Sequence, residues 1–367
     1  MPITPEDPQP VFSDLFDPLR IDARRSHDAI MPSVQDLIQQ YHAARRAGAL
    51  FDGFRRGILS VRGKDRVRFL HNLMSHDIKG LHPGQGRPAC LLDRQGKILF
   101  AATVHARPEE LLLEMDLPSL PTARQQLERY HISEAVEFSD ATGRYSILPL
   151  YGPMVPRLLQ KLWPHLDPPE QNLSHTPMAP ESGVPLVSRW DLFHLPGFHL
   201  WIHPDHVEGM RARILAEGKS LGMGEGSPEL FHTLRIEAGV PWPGSELNET
   251  VILNELGTEE YVSFTKGCFV GQEIVARIKY RAHPPRLLTG FLLEAQSPPV
   301  PGSPIQLGSE TVGIITSSCL SPELQHPIAL GFLRYGLGTS QLTVKGPSGE
   351  MKATVCKLPF APSGNLH

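Results

Sequence analysis

Phe264-Thr265-Lys266-Gly267-Cys268-Phe269-Val270-Gly271-Gln272-Glu273 is the stretch from which the rest of the chain is read. Cys268 lies between Gly267 and Phe269, two residues after Lys266, and an amphipathic run follows at once. Ile274, Val275 and Ile278 share one face of a 3.6-residue period, so the spacing predicts a turn entering a helix. A thiol at such a turn meets free backbone N–H groups and the positive end of a helix dipole. Lys266 adds a nearby cation, and both influences favour the thiolate. Cys268 is therefore a candidate catalytic thiol, with Lys266 as its electrostatic companion.

Outward from this point, 367 residues suffice for two or three domains with substantial cores. Lys and Arg number 35 against 39 Asp and Glu, a net charge of −4 that argues against bulk nucleic-acid binding. The 36 prolines and 32 glycines predict many turns and connections, not long helical bundles. Cys90, Cys268, Cys319 and Cys356 include no pair at C-x-x-C spacing, which excludes the closed zinc and Fe–S patterns. Cys90, Cys319 and Cys356 read as buried reduced thiols. No stretch approaches the roughly 20 apolar residues of a membrane span, and Met-Pro-Ile-Thr-Pro-Glu-Asp has neither the charge nor the apolar run of a signal peptide. A cytoplasmic protein is expected, or a mitochondrial matrix protein in a eukaryote.

Three segments follow from the local patterns. Residues 1–45 form a proline-rich arm, extended over 1–32, with a short helix over 33–47 carrying Val34, Leu37, Ile38 and Tyr41. Residues 46–285 alternate short strands and helices in an order that recurs approximately, the pattern of α+β units with antiparallel sheets. Strands are predicted at Ile58–Val61, Ala89–Leu92, Ile98–Ala106, Leu111–Met115 and Ser146–Tyr151, with one or two more across 184–202. Ser227 and Pro228 open a helix that Gly239 closes. From 286 to 360 only short strands occur, between Gly, Pro and Ser residues, which predicts a small C-terminal β-barrel.

These residues carry a resemblance. Leu234-Arg235-Ile236-Glu237-Ala238-Gly239-Val240-Pro241, then Gly244 and Glu246, then Lys266 to Glu273, is similar to the YgfZ-type folate-binding proteins of the glycine-cleavage T-protein (aminomethyltransferase) superfamily. A looser resemblance runs over about residues 50–360 and includes Val61-x-Gly63-x-Asp65, Gly313–Ser317 and Ile328–Gly331. It implies intertwined α+β domains in a cloverleaf with a C-terminal β-barrel around a tetrahydrofolate pocket. It also implies an auxiliary role in assembling or repairing iron–sulfur enzymes, particularly [4Fe–4S] ones, with those enzymes or their assembly proteins as partners. Cys268 is then the key thiol. Arg235, Glu237, Gly267, Gln272 and Glu273 would contact the folate.

One departure bears on the chemistry. Aminomethyltransferases carry an acidic pair after a glycine turn; the matching stretch here is Gly96-Lys97-Ile98-Leu99-Phe100-Ala101, so Phe100 and Ala101 replace it. Their Tyr-Thr-Gly-Glu stretch is replaced by Leu192-Phe193-His194-Leu195-Pro196-Gly197. Apolar side chains cannot orient an amine or stabilise developing charge, so ordinary aminomethyl transfer is not expected. The rivals are a folate-dependent one-carbon transferase with a relocated acid and a non-enzymatic scaffold with a vestigial pocket. A cysteine hydrolase is weakest, since no His and Asp can be assigned to Cys268.

Structural alternatives stand beside the functional ones. Lys266 can be a solvated lysine, Glu273 a first-turn carboxylate near a helix dipole, and Arg235 and Glu237 core pairing residues on different helix faces. Gly267 and Gly271 read as tight turns or close approaches. His199 and His203 have i, i+4 spacing, but on a strand they lie about 13 Å apart at roughly 3.3 Å per residue, too far for one zinc. No metal site is expected.

Overall fold

The computed structural model describes residues 33–51, 56–179, 182–337, 341–346 and 349–360. The extended lead-in expected at 1–32 lies outside them. The described chain opens with α1 (Val34–Arg46), held by a capping box in which Ser33 Oγ accepts from the Asp36 N–H and Asp36 accepts from the Ser33 N–H. A three-residue strand, β1 (Ala49–Phe51), follows.

The next unit runs β2 (Arg56–Arg62), α2 (Arg66–Leu73), β3 (Gly86–Leu92), β4 (Ile98–Ala106), β5 (Leu111–Asp116), α3 (Leu120–Tyr130) and β6 (Glu137–Asp140). Its strands form an antiparallel sheet in the order β3-β4-β5-β2-β6. One face of this sheet buries Leu59, Val61, Val104, Leu111 and Leu113 against α2 and α3, through Phe69, Leu70, Ala123 and Leu127. Each such side chain contributes about 1.5–3 kcal/mol when taken fully out of water.

A second unit runs β7 (Ser146–Tyr151), α4 (Val155–Leu162), β8 (His175–Pro177), β9 (Leu186–Arg189), β10 (Gly197–Ile202), α5 (Val207–Lys219), β11 (Gly224–Gly226) and α6 (Pro228–Glu237). Its six-stranded sheet has the order β11-β1-β7-β10-β9-β8. β1, which precedes the first unit in sequence, pairs parallel with β11 and antiparallel with β7. That exchange intertwines the two units. The sheets meet through Ile58 and Leu112 on one side and Ile147, Leu186 and Trp201 on the other.

α7 (Gln272–Arg281) leads into β12 (Arg286–Glu294), β13 (Pro304–Leu307), β14 (Glu310–Ser321), β15 (His326–Arg334), β16 (Leu342–Gly346) and β17 (Gly349–Cys356). These six strands close into a barrel in the order β12-β15-β14-β13-β16-β17, filled by Phe291, Ile305, Ile315, Leu342 and Val344. The fold is mixed α+β with a closed C-terminal barrel, as the strand pattern and the resemblance led us to expect. The last strand starts at Gly349, because Gly349 and Glu350 already pair with Gly346 and Lys345.

α6 joins the three bodies. Ser227 Oγ accepts from the Leu230 N–H at its start, as its N-cap position requires. Arg235, 1 % exposed, donates to Glu246 at 3.2 Å and to Ser317 Oγ at 2.6 Å. A bulge between Ile315 and Ser317 turns two successive hydroxyls of β14 onto Glu246: Thr316 at 2.6 Å and Ser317 at 2.7 Å. Two residues on, Glu237 accepts from Tyr41 Oη (2.7 Å), Arg45 (3.0 Å) and Ser321 Oγ (2.5 Å). One helix thus pins the barrel with Arg235 and both α1 and the barrel with Glu237.

Candidate functional site

Where the five-stranded sheet, the segment after β9, the turn after α6 and the barrel converge, they enclose a cavity of about 620 Å³. Gly239 makes the turn after α6: its φ of +71° is left-handed, and a Cβ there would meet Leu358 at 2.9 Å. Trp190, Trp242 and Tyr261 supply aromatic wall, and the end of β17 contributes Cys356 and Lys357.

The polar floor comes from β2 and β5. Arg56 and Asp116 are facing residues in that ladder, and Glu114 lies two along from Asp116, so all three share the cavity face. Glu114 is fully buried. It accepts from Arg56 Nε at 3.0 Å and His105 Nε2 at 3.0 Å, with His199 Nδ1 at 3.4 Å. Burial alone would raise its carboxyl, but Arg56, His105 and His199 hold it well below the ordinary range. An ionised Glu114 only accepts; His199 Nδ1 lies 3.4 Å from it, and His199 Nε2 pairs with Tyr151 Oη at 2.9 Å. The Arg56 guanidinium lies 5.5 Å from the Trp190 ring centre. Asp191 is held by Arg189 Nε at 2.9 Å and by the Gly197 N–H at 3.0 Å. Glu260 opens to the cavity rim while hemmed in by protein, and burial raises its carboxyl.

The residues singled out from the sequence sit elsewhere. Cys268 and Gly267 are exposed, Glu273 is exposed and Gln272 is half-buried; none lines the cavity. α7 begins only at Gln272, after Gly271 in a left-handed φ of +82°, so Cys268 stands four residues ahead of the helix it was expected to enter. Gly271 is required there, since a Cβ would meet Asp93 O at 2.5 Å; Gly267 has neither a positive φ nor a neighbour within 4 Å. Lys266 Nζ donates to the carbonyls of His71 and Met74 at the end of α2, the latter at 2.6 Å, and lies 5.1 Å from the Phe269 ring centre. Burial draws its ammonium down to about 8, against the raising influence of Asp77 and Cys268. Arg235 and Glu237 are taken up in the α6 networks described above.

The structure corrects one cysteine reading. Cys90 and Cys319 are buried, and burial pushes both thiols up; Cys356, expected to be buried as well, is part-exposed on the cavity wall. β17 ends at Cys356 and leaves its side chain at the barrel mouth. Sequence reasoning also passed over Arg56, Glu114, Asp116 and Trp190. A usable signal was the two acids at i, i+2 in the otherwise apolar Leu111-Leu112-Leu113-Glu114-Met115-Asp116. A carboxylate inside a buried strand demands partners. Among the described residues no group of three or more His, Cys, Asp or Glu could hold a metal ion.

A two-sheet core with a closed barrel over a shared central cavity defines a class, and comparison with known families agrees with it. The GCVT N-terminal domain matches residues 25–266 and the glycine cleavage T-protein C-terminal barrel domain matches 286–361, so the chain belongs to the glycine cleavage T-protein family. Among curated relatives, an aminomethyltransferase of Caldanaerobacter subterraneus subsp. tengcongensis is 26 % identical over 331 residues, covering 88 % of this chain and 87 % of its own. One from Streptomyces coelicolor is 28 % identical over 302 residues, 80 % of each chain. The crystal structure of the glycine cleavage system aminomethyltransferase T from Bartonella henselae superposes with a TM-score of 0.79 at 18 % identity, over 89 % of this chain and 90 % of that one. That likeness is one of fold. Among the described residues no helix is long and apolar enough to cross a membrane.

Proposed function

We propose that the central cavity binds tetrahydrofolate or a derivative and that the protein handles one-carbon units on it. The observation that carries this is the cavity: about 620 Å³, walled by Trp190, Trp242 and Tyr261, with Arg56 and Asp116 in the floor and Lys357 at the mouth. Its volume suits a mid-sized organic ligand, its aromatic walls suit a flat heterocycle, and the lysine suits an anionic tail. The relatives named aminomethyltransferase support a folate-dependent one-carbon transferase as the first reading. Tryptophan fluorescence tests it. Tetrahydrofolate is expected to quench Trp190 and Trp242 with saturation; an unsaturable, inner-filter response in folded protein would remove the reading.

The resident chemistry of a reduced folate is to carry a one-carbon group on its ring nitrogens. The chain's own contribution is to hold the ring between aromatic faces, exclude water with the barrel, and present Asp116 and Arg56 to the ring's polar edge. Glu114 fixes Arg56 for that task.

A second reading, an auxiliary factor for [4Fe–4S] enzymes, has its own supporting observation. Ala101 lines the cavity without an acid, while Cys268 stands exposed outside it. A thiol so placed serves a partner protein, not the cavity. In this reading Lys266 shapes the segment that carries Cys268, Gln272 and Glu273, and Arg235 and Glu237 act on folate by holding the cavity wall. Restoration of Fe–S enzyme activity in deficient cells by wild type but not by Cys268→Ala supports it; equal restoration counts against the thiol.

A further inference from the structure

We infer that residues 257–269 form a strap that couples the cavity to Cys268: a ligand against Tyr261 seats the strap, and the seated strap fixes where the thiol stands. The inference rests on the reduced-folate reading for the ligand and extends it to control of a thiol outside the cavity.

One end of the strap is cavity wall, lined by Gly257, Thr258, Glu260 and Tyr261. The other end is exposed and carries Cys268, which does not line the cavity. Between them the chain is fastened to the end of α2 at three successive points. Ser75 Oγ donates to the Tyr261 carbonyl and accepts from the Cys90 N–H at 2.9 Å. The Ser263 N–H donates to the Ser75 carbonyl at 3.1 Å. Lys266 Nζ donates to the carbonyls of His71 and Met74. These are helix-end acceptors: the Ser75 N–H, which in a continuing helix would reach His71, donates to the Cys90 carbonyl at 2.8 Å instead. Lys266 therefore caps α2 from a distant part of the chain. Val262 and Phe269, on either side of it, bury in one core with Leu256 and Cys90.

The Lys266 attachment is the one poised to give way. Its ammonium gains two carbonyls and the face of the Phe269 ring, 5.1 Å from the ring centre. Burial opposes the charge and draws the group down to about 8. Opposed influences of this kind balance a seated strap against one in which Lys266 returns to water. Two glycines bound the stretch that moves: Gly257, left-handed at a φ of +69°, and Gly267, where a Cβ would meet nothing within 4 Å. A ring packed on Tyr261 adds contacts to the seated arrangement alone, so binding shifts the balance toward it. Linkage makes the coupling reciprocal, and releasing the strap weakens the ligand by the same factor.

Iodoacetamide labelling of Cys268 on the full chain, with and without saturating 5-formyltetrahydrofolate, tests the coupling; calorimetry measures the binding separately. Peptide mass spectrometry reads the labelling, and the ratio of rates within each protein cancels the thiol's own reactivity. Wild-type labelling is expected to slow at least threefold on saturation. Folded Lys266→Met is expected to lose that response and to bind the ligand at least threefold more weakly. Lys266→Arg, which can still donate to both carbonyls, is expected to keep both properties. Saturable wild-type binding that leaves Cys268 labelling unchanged overturns the inference and leaves the folate reading standing. Full protection and wild-type affinity in Lys266→Met also overturn it, since the strap's attachment then plays no part. A wild-type protein that gives no heat overturns the folate reading and this inference together.

Discussion

Glu246→Ala separates an ion pair that no solvent reaches, and the structure sets the size of the effect. Glu246 accepts from Arg235 at 3.2 Å, the Trp242 N–H at 3.0 Å, Thr316 at 2.6 Å and Ser317 at 2.7 Å, and it is 0 % exposed. Removing it leaves Arg235 buried with an uncompensated charge, the circumstance that costs about 3–5 kcal/mol. Burial already draws the Arg235 guanidinium below its ordinary range and Glu246 opposes that, so without Glu246 the cost of burying the charge stands unopposed by a carboxylate partner. Replacing both partners, Arg235→Met with Glu246→Leu, removes the charge along with its partner. It is expected to cost less than the single change, because Thr316 keeps the Leu330 carbonyl at 3.2 Å as an alternative acceptor. Urea unfolding followed by far-UV circular dichroism and tryptophan fluorescence reads both variants. Since the pair bolts α6 to β14, the barrel is expected to loosen first in Glu246→Ala. A loss below about 1 kcal/mol, or a double variant no more stable than the single one, would refute the reasoning.

Other outcomes follow from the same geometry. Iodoacetamide on native protein is expected to label Cys268 first and Cys356 more slowly, with Cys90 and Cys319 untouched until unfolding; peptide mass spectrometry reads the order, and early labelling of Cys90 would contradict the burial argument. His175 is drawn from 6.5 down to about 3, chiefly by burial and then by His105 and Arg107. The unfolded chain takes up that proton first, so His175 costs stability as pH falls from about 6.5 toward 3 and costs nothing above that window. His175→Gln is expected to flatten this part of the stability–pH curve; an unchanged slope would count against it.

Much of the fold was legible because it rests on local pattern. The six barrel strands alternate between Gly, Pro and Ser breaks, and Ile98–Ala106 is bounded in the structure as its apolar run predicts. Ser227-Pro228 carried the signal for α6 in the capping side chain itself. β1 was not legible: three residues are too short for a periodic signal, and their partners in β7 and β11 lie far along the chain. The site was legible only as a resemblance. Asp116, Arg56 and Ala101 come together through register between three strands, which no local window contains. Cys268 had favourable neighbours in sequence, but its distance from the cavity depends on where the chain goes after Gly271 and on Lys266 anchoring to the end of α2.

The central claim is that the cavity between sheet and barrel holds a reduced folate, and filling that cavity tests it most directly. Ala101 is a small wall residue beside Asp116, so Ala101→Trp places an indole where the ring would lie while leaving Cys268 untouched. Titration calorimetry with tetrahydrofolate is expected to give saturable one-to-one binding for wild type and none for folded Ala101→Trp. Equal binding by both proteins, or a flat titration for wild type, would contradict the account.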